Sequence, residues 1–311
     1  MTSTVAAPPA GALPGVKDEP RAAGAIGQTR AGWGLLTPFL VLYLAFLIGP
    51  AVYGLVMSFF DGSSVRSGLG PFAGLDNYTE ALTSGDFWSS MWHTVLFTIL
   101  TTPPLVIVAL LLAMLTDRIR RGKWFFRLVF FAPYVMPVTC VGLVFTWMYV
   151  PQTGLFASWL SALGLPAPAW LADPNWAMIA VALMTVWWTI GFNFVLYLAG
   201  LQDIPRELYE ASAVDGAGPG AQWWRITVPL LSRTTVLVTM LQIIASLKVF
   251  DQIYLLTAGG PNYSTRPVIE YIYDVGFTDF RTGYGAAASM LYFVVILAVS
   301  AVWFAISRRR A

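Results

Sequence analysis

Hydrogen-bonding and flat aromatic side chains interrupt two long apolar stretches of this sequence. Those in the first stretch are Thr185, Trp187, Trp188, Thr189 and Asn193. In the second stretch, Gln242, Ser246 and Val249 recur at the i, i+4, i+7 spacing that places side chains on one face of a helix. Groups of these two kinds, buried between helices, bind a small ligand through hydrogen bonds and ring stacking. The pattern predicts a ligand path rather than a reaction centre.

Residues that perform catalysis or hold metals are scarce. The sequence has one histidine, His93, and one cysteine, Cys140, which excludes a disulfide within the chain and a multi-cysteine zinc site. The acidic residues are dispersed, whereas an active site needs convergent groups. No G-x-x-x-x-G-K-S/T segment occurs, so the chain has no phosphate-binding loop of its own. We therefore expect no enzyme, no metal and no cofactor here, and any ATP-driven step must occur on another polypeptide.

The composition is that of an integral membrane protein. Of 311 residues, 57% are apolar and 11% are charged, against about 25% charged in an ordinary soluble domain. The mean hydropathy is +0.68. So few charges cannot cover a water-exposed surface, which excludes a soluble globular protein and a disordered one. The net charge of +2 is small and scattered, which argues against nucleic-acid binding.

Six stretches are long enough to cross the bilayer core, which needs about 20 apolar residues of helix. They are 34–60, 91–116, 128–150, 176–200, 234–256 and 285–306. All six are too long and too uniformly apolar for the alternating strands of a barrel. Prolines such as Pro133 and Pro137 can bend such helices without ending them. We predict an all-α, polytopic protein: a disordered cytoplasmic tail (1–32) and a six-helix transmembrane domain (33–311).

Basic residues predict the orientation of these helices. Fourteen Lys and Arg residues fall in the N-terminal tail, the second and fourth connections and the C-terminus, whereas three fall on the opposite side. Because cytoplasmic loops carry the excess of Lys and Arg, both termini are predicted to be cytoplasmic.

The fourth connection, residues 201–229, has the pattern of a short helix-turn-helix. Pro205 is suited to begin a helix, and Glu207 lies in its first turn, where the helix dipole favours acids. Gly216 favours the end of that helix, and Pro219 can start a second one. The small residues at the bend would let the backbone of another protein approach closely.

The same connection carries a known signature. Glu210-Ala211-Ser212, three residues, Gly216, nine residues and Ile226-x-Val228-Pro229 resemble the EAA signature of binding-protein-dependent ABC transporter permeases. The spacing is kept, although Ser212 stands where a second alanine is usual. The resemblance implies a coupling helix that docks into a cleft of a cytoplasmic ATPase. The residues implied to couple are Glu207, Glu210, Ala211, Asp215 and Gly216.

A second resemblance narrows the branch of the family. Residues 250–262 are similar to the segment after the fifth core helix in carbohydrate-type permeases, and Pro133-Tyr134-x-x-Pro137 and 271–287 fit it too. The likeness covers residues 35–306 and is nearest to the maltose and glycerol-phosphate types. It implies a permease of a sugar importer in the cytoplasmic (inner) membrane of a bacterium or archaeon. The implied partners are membrane lipid, a second, different permease (a heterodimer), two ATPase subunits carrying ATP and Mg, and an extracytoplasmic solute-binding protein, with no nucleic acid.

The resemblance also implies which residues line the solute path. The positions that match the maltose-type motifs are Tyr134, Trp187, Trp188, Thr189, Gln242 and Ser246, and Asn193 offers the same chemistry. Lys248 is the only cation available along this path, which favours a neutral mono- or oligosaccharide over a phosphorylated one. The i, i+3 spacing of Lys248 and Asp251 predicts a structural ion pair; contact with substrate or binding protein is the other possibility.

A secondary transporter driven by an ion gradient is the alternative hypothesis. It predicts charged relay residues at mid-membrane and inverted repeats. Five of the six apolar stretches contain no Asp, Glu, Lys or Arg, which argues against it.

Overall fold

The computed structural model describes residues 23–63, 68–119 and 121–308, with side chains given between residues 33 and 306 of these ranges. The chain divides into two compact units, Met1–Gly54 and Leu55–Ala311. Residues 1–22, most of the predicted tail, lie outside the described residues. All candidate functional residues belong to the second unit.

The first helical segment begins at Ala23, within the stretch predicted as a tail. Helix α1 (Ala23–Tyr43) runs through a π-helical turn, Leu44–Ile48, into α2 (Gly49–Met57). Its apolar part, Trp33–Met57, is long enough to cross a membrane.

The remaining regular elements of the described chain are also helices, apart from an isolated antiparallel bridge between Phe60 and Phe72. The helices that follow are α3 (Asp76–Thr83), α4 (Gly85–Asp117), α5 (Lys123–Val135), α6 (Val138–Met148), α7 (Leu155–Ala162), α8 (Pro174–Gln202), α9 (Arg206–Val214), α10 (Pro219–Gln222), α11 (Val228–Leu230), α12 (Ser232–Leu247), α13 (Asp251–Leu256), α14 (Val268–Tyr273) and α15 (Thr282–Arg308). Two further π-helical turns are Trp223–Thr227 and Asp274–Thr278.

The described residues contain four to six candidate membrane spans. Four single helices qualify, the Trp33–Met57 segment together with α4, α8 and α15, and two bent helix pairs raise the total to six if each pair is one span. The prediction of a polytopic, all-helical protein is therefore confirmed, with six spans as the upper count.

The third predicted helix, 128–150, is wrong as a single element. Helices α5 and α6 meet at 95° because Met136 and Pro137 are extended, with ψ near 140°. A residue before proline is disfavoured in the helical region, and Met136 accordingly takes an extended conformation before Pro137. Pro133, one turn earlier, lies within α5 without breaking it.

The fifth predicted helix, 234–256, is also divided. Helix α12 ends at Leu247, and α13 starts only at Asp251. Phe250 takes φ −150° and ψ −64°, which no helix allows. Lys248 and Asp251 lie at this break, but their spacing in the sequence predicts an ion pair within one continuous helix.

Three long helices form the centre of the second unit. Helix α8 packs on α4 and α5, and α12 packs on α4. Gly191 permits the contact with α5, since a Cβ there would overlap the backbone of Phe130. Two buried apolar clusters lie along these helices: Phe97 and Met184 belong to one, Ala109, Phe194 and Val238 to the other.

Candidate functional site

The fourth connection forms the helix-turn-helix that its sequence predicts. Helix α9 starts directly after Pro205 and ends at Val214. Gly216 follows with φ +81°, a left-handed conformation that favours glycine. The N–H of Ala217 donates to the carbonyl of Ser212 at 2.9 Å and closes the helix end. Pro219 then begins α10.

One face of α9 is free in the described part of the chain. The residues predicted to couple are all exposed: Glu207, Glu210, Ala211, Asp215 and Gly216. Their carboxylates make no ion pair within 4 Å in the described ranges. Val214, beside them, is 89% exposed. The face thus presents acidic groups, small residues and a bare apolar side chain together.

Three hydrogen bonds fix the opposite side of α9, and a fourth joins the segment after α10 to α4. The Gln222 amide donates to the Tyr209 carbonyl at 3.0 Å and to Ser212 Oγ at 2.9 Å. The Tyr209 hydroxyl lies 2.9 Å from Thr227 Oγ1. The Trp223 indole N–H donates to Met114 Sδ, 2.6 Å away at the end of α4. We call these four contacts the loop brace, because three of them join α9 to residues 222–227 and the fourth joins that segment to α4.

A belt of polar side chains crosses the centre of the helix bundle. Gln242 Nε2 donates to Asn193 Oδ1 at 2.9 Å, which joins α12 to α8. Ser246 Oγ lies 3.1 Å from Thr101 Oγ1 and 3.5 Å from Thr102 Oγ1, which joins α12 to α4. All five residues are buried. Along each helix they fall between the two apolar clusters, so this polar belt lies near the middle of the spans.

Asn193 has an unused donor in this belt. Its side chain is fully buried, and Nδ2 has no hydrogen-bond partner. A buried donor without a partner costs about 1–3 kcal/mol. The sequence pattern placed Asn193, Gln242 and Ser246 here, but it missed Thr101 and Thr102. The Thr101-Thr102-Pro103-Pro104 run inside an apolar helix was the available signal.

The remaining predicted path residues gather around the break between α5 and α6. The Trp188 indole donates to the Met136 carbonyl at 3.2 Å. The Tyr134 ring stacks on Phe192, with 5.4 Å between centroids. Trp187 packs against Phe145 and is 47% exposed. These aromatic rings leave part of their surface free for a ligand.

The Thr189 hydroxyl makes no hydrogen bond to another helix within the described residues. Its hydroxyl donates to the Thr185 carbonyl of its own helix at 2.8 Å, as Thr185 does to Val181. Both side chains are therefore satisfied locally, and Thr189 is only partly exposed.

Lys248 and Asp251 do not form the predicted ion pair. No N–O distance within 4 Å joins them, although both residues are described, and both are exposed. The prediction assumed one continuous helix, but α12 ends at Leu247, so the i, i+3 geometry does not exist.

The sequence of residues 67–311 matches the family described as "Binding-protein-dependent transport system inner membrane component". The chain belongs to this family. It is a multi-pass inner-membrane permease subunit of a carbohydrate ABC importer, which works with a binding protein and ATPase subunits. Permease subunits of this family are not catalytic and carry no cofactor, because the ATPase is separate. The alternative of an ion-gradient transporter is therefore wrong.

Three comparisons support this family assignment. The permease is 37% identical over 277 residues (89% of this chain, 90% of the relative) to the sulfoquinovosyl glycerol permease SmoG of Agrobacterium fabrum. It is 33% identical over 279 residues (89% of this chain, 94% of the relative) to the sn-glycerol-3-phosphate permease UgpA of Rhizobium meliloti. It shares its fold with a chain of the bacterial alginate ABC transporter crystallised with a pentasaccharide-bound periplasmic protein, with TM-score 0.79, 24% identity, and coverage of 93% and 98%.

The permease also contains a charged cluster that the sequence did not predict. The Arg266 guanidinium lies 3.9 Å above the Tyr263 ring and within 3.8–3.9 Å of Asp86 and Asp274 carboxylates. Glu270 is only 1% exposed, and Oε2 has no hydrogen-bond partner. Burial raises the pKa of Glu270 to about 7. Arg266 and Glu270 fall between the two segments that carry the family resemblance, 250–262 and 271–287, and their sequence positions do not reveal that they are buried.

Proposed function

We propose that this permease pairs with a second, different permease to form a sugar path, and that loop 201–229 couples the path to two ATPase subunits. The free face of α9 is the observation that carries the coupling role. Its residues Glu207, Glu210, Ala211, Asp215 and Gly216 are exposed, while the loop brace holds the other side of the helix. A helix fixed on one side and bare on the other is suited to dock in a partner and to transmit its motion.

Substitutions on α9 test the coupling role. Glu210→Lys and Gly216→Trp should lower the amount of ATPase that purifies with the permease, or remove the dependence of ATP hydrolysis on loaded binding protein. Asp279→Lys is the matched control, since it makes the same charge change at an exposed site outside loop 201–229. Full coupled transport by Gly216→Trp would overturn the proposal.

We assign the sugar path to the polar belt and the adjoining aromatic rings. The residues are Tyr134, Trp187, Trp188, Thr189, Asn193, Gln242 and Ser246. The belt has neutral hydrogen-bonding groups, and the rings of Tyr134 and Trp187 are 39% and 47% exposed. Hydroxyl-bonding amides next to flat apolar faces suit a sugar. The exposed rings form only one side of a path, and the second permease would supply the other side.

The neutral lining favours a neutral mono- or oligosaccharide as cargo. A buried phosphate would need fixed cations close by. The residues of the polar belt are all neutral, and Lys248, exposed just after α12, is the only cation that the sequence places along the path. The test is binding-protein-dependent uptake in proteoliposomes across a panel of sugars, with glycerol phosphate included. Uptake of glycerol phosphate alone would overturn this choice while leaving the importer function intact.

Trp188→Ala tests the path itself. We expect lower sugar uptake with unchanged assembly, measured by co-purification of the partner subunits. Trp124→Ala is the control, because Trp124 is 70% exposed on α5 and lies outside the path residues. Equal losses of uptake in the two variants would contradict the assignment.

We propose that both termini face the cytoplasm, since the basic residues concentrate in the connections on that side. A reporter that is active only in the cytoplasm, fused to the C-terminus, should be active. A periplasm-specific reporter at the same site should be silent, and the reverse result would refute the orientation.

A further inference from the structure

A cavity of about 320 Å³ lies between the loop brace and the last turn of α4. Its walls include Leu115, Leu201, Tyr209 and Trp223. Pockets that bind small molecules measure about 300–1,000 Å³. This cavity lies at the lower end of that range, so it can hold one portion of a larger ligand. It is separate from the polar belt, which lies between the apolar clusters at mid-span.

The polar groups of the walls are already committed to the protein. The Trp223 N–H is bonded to Met114, the Gln222 amide to Tyr209 and Ser212, and the Tyr209 hydroxyl to Thr227. The donors among these groups are thus engaged within the protein, which leaves little for a sugar to bond. The walls therefore offer a guest mainly ring faces and aliphatic surface.

The cavity rim has one uncompensated charge. Asp117 is paired with Lys123 at 2.8 Å. Arg118 is exposed and makes no ion pair or side-chain hydrogen bond with the described residues. A free guanidinium above an apolar cavity selects an amphiphile with an anionic head.

The surroundings indicate the source of that amphiphile. Trp124 and Trp224 are 70% and 68% exposed, and tryptophans concentrate where headgroups meet acyl chains. Arg121 adds a further positive charge to the connection between α4 and α5, and basic groups at this depth attract anionic lipids of the cytoplasmic leaflet. Under the proposed orientation, the cavity opens at that depth.

We propose that this cavity binds an anionic phospholipid of the inner leaflet, with its phosphate at Arg118 and its first methylenes against Leu115 and Trp223. The remainder of each acyl chain stays in the bilayer, because the cavity is too small to hold it. Since Tyr209 and Trp223 belong to the loop brace, the bound lipid supports the loop from its membrane side.

The test uses the assembled transporter in nanodiscs that contain phosphatidylcholine and phosphatidylglycerol. Native mass spectrometry counts the phosphatidylglycerol retained by the wild type, Arg118→Gln, Arg118→Lys and Arg127→Gln. Arg127 is an exposed cation of α5 outside the cavity, so its variant is the matched control. We expect roughly fivefold weaker retention in Arg118→Gln only, with Arg118→Lys and the control like the wild type.

Three results would overturn the lipid proposal. They are equal retention in Arg118→Gln and wild type, equal retention of phosphatidylcholine and phosphatidylglycerol, and displacement of the lipid by inorganic phosphate, which would indicate a site for free phosphate. The ATPase that co-purifies is measured in the same samples. The lipid site and the coupling role of α9 are distinguished by two results. Arg118→Gln should lose lipid and keep the ATPase, and Gly216→Trp should lose the ATPase and keep lipid.

Discussion

The amide pair Gln242–Asn193 can distinguish a sugar-binding belt from one that only joins helices. Each single variant, Gln242→Met or Asn193→Leu, removes one partner of a buried 2.9 Å hydrogen bond. Hydrogen bonds between membrane helices contribute about 0.6 kcal/mol on average and up to about 1.7. Gln242→Met also leaves the whole Asn193 amide without a partner, since Nδ2 already has none. We therefore expect each single variant to lose about 1–2 kcal/mol of stability.

The double variant should behave differently in its two readouts. Replacing both partners of a buried hydrogen bond by apolar groups of similar shape is nearly neutral, so its stability should return close to that of the wild type. If the two amides bind the sugar, uptake stays low in both single variants and in the double variant. Thermal unfolding of the purified complex gives the first readout, and binding-protein-dependent uptake in proteoliposomes gives the second.

Thr239→Val is the control for this comparison. The Thr239 hydroxyl lies on the same helix but donates only to the Thr235 carbonyl, at 2.7 Å, so its loss should leave both readouts unchanged. A double variant as unstable as the singles would mean that the amides are not partners. A double variant that regains full uptake would reduce the belt to a packing feature and refute the assignment of a path.

Three further predictions concern other parts of the permease. Burial raises the pKa of Glu270 to about 7, so the folded state favours the protonated carboxyl. The wild type should therefore lose up to about 3 kcal/mol of folding stability as pH rises from about 4.5 through 7, whereas Glu270→Gln should not. Unfolding temperatures measured between pH 5 and 8 check this. Gly191→Ala should lower folding stability by more than about 3 kcal/mol, because its Cβ would overlap the α5 backbone. Gly220→Ala, whose Cβ would meet nothing within 4 Å, should leave stability and expression unchanged. Ser212→Ala removes one hydrogen bond of the loop brace and the bond from the Ser212 hydroxyl to the Tyr209 carbonyl. It should lower the free energy of unfolding by about 0.5–1.5 kcal/mol per bond, seen as a slightly lower unfolding temperature, with the ATPase still bound.

Residues that start and end helices made the coupling loop predictable from sequence. Pro205 and Pro219 can start helices because their fixed φ suits the first turn, and both precede or begin one here. Gly216 adopts the left-handed conformation that a helix end often needs. Each of these signals depends on one residue and its immediate neighbours, so no tertiary contact was required to interpret it.

Tertiary contacts decide the features that the sequence could not give. The apolar run continues across Pro137, yet α5 ends there. Lys248 is charged, but a charge does not by itself show that α12 ends beside it. The partner of Gln242 is Asn193, 49 residues away, and nothing in either helix specifies the rotation that brings them together. Helical spacing predicts which residues share a face, but packing determines what that face meets.

Trp188 shows how such a contact changes the role assigned to a side chain. From sequence it is an aromatic group with a donor, suited to both parts of sugar binding. In the structure its N–H donates to the Met136 carbonyl, at the break where Pro137 ends the helical hydrogen bonding of α5. A break inside a span exposes backbone groups that must find partners, because the bilayer core contains no water to satisfy them. The indole therefore stabilises the bend with its donor, and only its ring face remains available to a sugar.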